Sequence, residues 1–82
     1  MSGGRPVKRS LTLRGHRTSV SLEDAFWREF RAIAQARDMP INALAAEIDE
    51  ARDPAVGLAS SIRVFVLETL KATHEPAGPI PC

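Results

Sequence analysis

Residues 14–22 read Arg-Gly-His-Arg-Thr-Ser-Val-Ser-Leu, basic, free of acidic residues and alternating. Thr18, Val20 and Leu22 fall on one face of a strand, with Arg17, Ser19 and Ser21 on the other. A helical pattern follows at once. A half-apolar strand needs a neighbour, and the rest of the chain offers no equally clear second strand. Leu11-Thr12-Leu13 alternates too briefly to rank above an extended lead-in, although a short hairpin through Arg14-Gly15-His16 is the alternative. The expected neighbour is therefore the same strand of a second copy.

At 82 residues the chain is one small domain, of a size for which oligomerisation is a usual source of extra burial. No apolar run approaches the ~20 residues of a membrane span. Met1–Ser10 lacks the apolar core of a secretory signal. Cys82 is the only cysteine, which excludes a disulfide framework within the chain and makes a cytoplasmic location the expectation. Charge is segregated. Residues 1–21 hold five basic and no acidic residues, while residues 22–53 hold four basic and eight acidic ones. A basic segment ahead of an acidic middle points to a polyanion partner for the former.

The expected organisation is a flexible basic arm over 1–10, a domain over 11–73 and a disordered tail over 74–82, with no internal repeats. Ser21 caps the first helix in a box-like arrangement with Asp24, and Phe26, Phe30, Ile33 and Ala34 form its apolar stripe. Pro40 ends the turn after it. A second helix spans about 41–52, with Ile41, Leu44, Ala45 and Ile48 inward and an acidic outer face; Asp38 or Asn42 caps it. The third helix starts between Pro54 and Leu58 and ends near Ala72. Val64 and Leu67 lie outside its main stripe of Leu58, Ile62, Phe65, Val66 and Leu70, so it is expected to be covered on more than one side.

Catalytic raw material is scarce. His16, His74 and Cys82 make no zinc-site spacing, and no glycine-rich loop has phosphate-binding spacing. Glu47 with Glu50, and Asp49 with Asp53, are the carboxylates of a solvated helix face. No catalytic residue, metal or cofactor is assigned, and no enzyme activity is expected. A two-stranded ribbon of paired copies fits the major groove of DNA, and Arg and Ser suit base edges there.

His16–Glu23 leading into Phe26 and Phe30, followed by Ser60–Val66, resembles the ribbon-helix-helix superfamily of DNA-binding proteins, which includes the Arc and methionine repressors. Lys8–Ser10, Gly15–Glu23 and Leu58–Glu68 are similar to a bacterial subgroup of small ribbon-helix-helix proteins. The resemblance implies a mainly α fold with one short β-strand: a ribbon-helix-helix with an extra helix, in an intertwined homodimer whose strands pair antiparallel. It implies base contacts from Arg17, Ser19 and Ser21. Phosphate contacts are expected from Lys8, Arg9, Arg14 and His16, and from Gly57, Ser60 and Ser61 at the family's second helix. Val20, Leu22, Ile62, Phe65 and Val66 are the expected dimer core. The function implied is sequence-specific binding of double-stranded DNA by a transcriptional regulator or antitoxin-like repressor, with dimers able to pair on neighbouring half-sites. The alternative is a protein-interaction module that uses the acidic middle helix to hold a protein partner.

Overall fold

The computed structural model describes residues 4–74. Two strands, β1 (Pro6–Leu13) and β2 (His16–Glu23), lead into three helices, α1 (Asp24–Ala36), α2 (Ile41–Ala51) and α3 (Leu58–His74). The strands form an antiparallel hairpin whose register pairs Leu13 with His16, Ser10 with Ser19 and Pro6 with Glu23. Arg14 and Gly15 fill the two-residue turn with φ of 52° and 85°. Two left-handed residues make the turn type whose twist matches the strands, and glycine takes that conformation without a Cβ penalty.

The neighbour that β2 needs is thus within the chain, and the described residues hold two strands rather than one. Leu11-Thr12-Leu13 is the end of a full eight-residue strand. Residues 6–10, expected in a flexible arm, are strand as well. They pair because every second residue from Val7 to Leu13 meets the inward row of β2. At the other end, His74 belongs to α3, and the rest of the expected tail, 75–82, lies outside the described residues.

The inner hairpin face carries Leu11, Leu13, Val20 and Leu22, all buried. They pack on Phe30, Ile33 and Ala34 of α1, on Leu44, Ala45, Ala46 and Ile48 of α2, and on Ile62 and Val66 of α3. Phe65 lies edge-on to Phe30 at 6.3 Å between centroids. The residues expected to form a dimer core, Val20, Leu22, Ile62, Phe65 and Val66, therefore serve the chain's own core. Thr18, expected inward with Val20, is exposed at the turn end of the sheet.

The helix starts of α1 and α2 both differ from expectation. Glu23 is the N-cap of α1 and makes no side-chain cap bond; Ser21 remains in β2, two residues before that cap. After α1, Asp38 takes a left-handed φ of 57°. The Met39 N–H then donates to the Ala34 carbonyl at 2.9 Å and the Asp38 N–H to that of Gln35 at 3.0 Å. This is a Schellman ending with aspartate where glycine is usual. Pro40 is the N-cap of α2. Asn42 instead uses its Oδ1 to accept from the Thr12 N–H of β1 at 3.1 Å.

Candidate nucleic-acid interface

Register and alternation sort the hairpin's polar residues onto two faces. On the outer face, Thr12 stands opposite Arg17, Ser10 opposite Ser19, and Lys8 opposite Ser21. All six are exposed. Strand residues two apart are ~6.7 Å apart, so the three cross-strand pairs extend ~13 Å along the ribbon. The expected base-contact residues Arg17, Ser19 and Ser21 are brought together on this face. Ser21 is free of a capping duty, and its side chain points with the others.

The basic residues expected on phosphates are divided. Lys8 lies on the outer face. Arg9, its neighbour, lies on the inner face, where its Nη2 meets Asp24 Oδ1 at 3.3 Å and its guanidinium stacks 5.2 Å from the Trp27 ring centre. Its Nε is buried without a hydrogen-bond partner. Arg9 ties β1 to α1 and does not reach toward a ligand. Arg14, in the turn, pairs with Glu50 of α2 at 2.6 Å. His16 is exposed but takes the same side as Leu13. It shares a shallow cleft with Arg17, Thr18, Asp49, Glu50 and Leu58.

Gly57 stands just before α3, and Ser60 and Ser61 lie in its first turn; Gly57 and Ser60 are exposed and Ser61 is half-buried. The Ser61 N–H donates to the Gly57 carbonyl at 3.0 Å, closing the first turn. The N–H groups ahead of it are those a helix leaves for an anion. Leu58 borders the cleft at the turn end of the hairpin, which brings this helix start beside β2. Further along, Arg63 of α3 donates to the Ser21 carbonyl at 3.2 Å and to Glu23 at 2.9 Å. The Arg63 hydrogen bond, and after it one from the Glu23 backbone, hold the Glu23 carboxyl below its ordinary range.

The acidic middle helix is nearer the ribbon than its charge suggested. Arg14 neutralises Glu50 at the turn, and Arg52 neutralises Asp49 at 2.7 Å. Ser10 and Thr12 complete the outer face beyond the expected residues. Their signal was present: Lys-Arg-Ser-Leu-Thr-Leu over 8–13 returns as Arg-Thr-Ser-Val-Ser-Leu over 17–22 around Arg14-Gly15.

Among the described residues, no helix is long and apolar enough to cross a membrane. A family model described as ribbon-helix-helix domain matches residues 6–70, from β1 into α3. No curated protein and no solved structure matches the chain.

Proposed function

Since the chain belongs to the ribbon-helix-helix domain family, whose members generally bind DNA as transcriptional regulators rather than act as enzymes, we propose that it binds double-stranded DNA sequence-specifically as a regulator. The observation that carries this reading is the outer face of the ribbon. It sets Arg17, Ser19 and Ser21 in one exposed row, on a two-stranded element narrow enough for a groove ~12 Å wide. Arginine donates two bonds to guanine O6 and N7, and serine both donates and accepts. Lys8 and the α3 start at Gly57, Ser60 and Ser61 add phosphate contacts, which makes binding salt-dependent. The rival surface on α2 is weakened by Arg14 and Arg52, which neutralise two of its carboxylates.

The family typically acts as dimers. In this chain the contact falls on α3, where Val64 and Leu67 are 52% and 55% exposed despite their apolar side chains. They occupy one face of the helix, as residues three apart do. A second copy covers that face, and a pair of dimers on neighbouring half-sites extends the contact. The cytoplasm, where DNA is accessible in a bacterium, is the compartment that goes with this role.

Selection of binding sites from random duplexes tests the reading. The wild type should enrich one sequence, and Arg17→Ala should lose the preference. If the wild type enriches no sequence, the reading is wrong. Sedimentation at micromolar concentration should give two chains per particle, reduced to one by Val64→Asp with Leu67→Asp.

A further inference from the structure

The two strands present matching rows outward. From β1 come Lys8, Ser10 and Thr12; from β2 come Arg17, Ser19 and Ser21. A half-turn about the midpoint of the Ser10–Ser19 pair carries Lys8 onto Arg17, Ser10 onto Ser19 and Thr12 onto Ser21. Each half is cation, serine, hydroxyl. The inward rows follow the same half-turn, with Leu11 and Leu13 matched to Val20 and Leu22. A single chain thus displays an approximately two-fold symmetric ribbon of the kind that otherwise requires two identical strands.

Partnering separates this face from the inner one. The inner-face cation, Arg9, is held by Asp24 and Trp27. None of the six outer side chains is engaged by another described residue. One backbone group at each ribbon edge is already in use: Asn42 accepts from the Thr12 N–H on β1, and Arg63 donates to the Ser21 carbonyl on β2. Adding a second hairpin edge to edge would give four strands spanning ~14 Å between outer axes, too wide for a ~12 Å groove.

We propose that the reading ribbon belongs to one chain, and that Ser10 and Thr12 of β1 read base edges together with Arg17, Ser19 and Ser21 of β2. This rests on the DNA-binding reading above. The ~13 Å of side chains covers about four base pairs at ~3.4 Å each. Because the two rows are related by a half-turn, the short sequence each hairpin prefers is a quasi-palindrome. The Ser10–Ser19 pair lies at its centre, with Lys8 and Arg17 toward opposite ends. Thr12 departs from Ser21 by a methyl group, which favours contact with a thymine methyl on its half.

Site selection from random duplexes with the wild type, Ser10→Ala, Thr12→Val and Ser19→Ala tests this. These exposed substitutions should leave the thermal midpoint in place, which circular dichroism verifies. The expected result is a quasi-palindromic four-base-pair core for the wild type. Ser10→Ala and Ser19→Ala should relax preference near its centre, and Thr12→Val should change preference on one half. Each should weaken binding to the selected duplex ~5-fold. If Ser10→Ala and Thr12→Val keep the wild-type profile while Ser19→Ala alters it, β2 reads alone and the one-chain ribbon is wrong, with DNA recognition intact. If the wild type enriches nothing, DNA recognition fails and this proposal falls with it.

Discussion

Arg63 of α3 reaches back forty residues to Glu23, donating from Nε at 2.9 Å. The same guanidinium donates to the Ser21 carbonyl and lies 5.9 Å from the Phe26 ring centre. One side chain so fixes the last helix to the point where the ribbon becomes α1. Replacing it with alanine should lower the urea midpoint clearly. Arg28→Ala, which removes an exposed (i,i+4) pair with Asp24, should change stability by no more than about 0.5 kcal/mol. Urea titrations of the two variants beside the wild type check this order.

The same contact sets a pH dependence. The Arg63 hydrogen bond, followed by one from the Glu23 backbone, places the Glu23 carboxyl below its ordinary value of 4.5. A carboxyl with a lowered folded value contributes stability that is present above the unfolded value and lost as pH falls through the folded one. Wild type should therefore exceed Glu23→Gln in stability by a constant amount above about pH 5, and the gap should close as the pH falls below 4.5. Denaturation midpoints measured across that range give the answer.

Leu11 tests whether β1 is part of the fold. It is 2% exposed, within the cluster that joins the sheet to the helices. Leu11→Ala should cost about 2–5 kcal/mol, a large share of the ~5–15 kcal/mol that holds a small domain together. Had residues 1–10 been a free arm and 11–13 a lead-in, the same change would be nearly neutral. Chemical denaturation separates the two.

Lys8 and Arg9 are adjacent cations on opposite faces of β1. Lys8→Ala should leave the melting midpoint in place, weaken DNA binding and lower the salt slope of log K by about 1. Arg9→Ala should remove about 1–2 kcal/mol of stability, through the lost Asp24 and Trp27 contacts. Paired melting and salt-dependent binding measurements on both variants reveal the difference.

These contrasts show what could be read along the chain and what could not. The β2 alternation, the three helical stripes and the Arg17–Ser19–Ser21 row are local periodicities, and they reappear in the structure. The partner of β2 was not local in the same sense. Lys8–Leu13 contains an arginine on its inward side, and that charge hides the alternation unless Asp24 and Trp27 are known to receive it. Ser21 looked like a cap because serine before an acidic turn commonly is one; the hairpin register instead extends β2 through Glu23. The apolar excess of α3 was legible, but its division was not. Ile62 and Val66 satisfy the chain's own core, which leaves Val64 and Leu67 outward.

The proposed surface for DNA is the outer face of the ribbon. Amide shift mapping on isotope-labelled protein, titrated with a duplex at low salt, tests it most directly. The largest changes should fall on Lys8, Ser10, Thr12, Arg17, Ser19 and Ser21, with a second set at Gly57–Ser61. Changes confined to the acidic face of α2 around Glu47 and Glu50, or no changes at all, would contradict it.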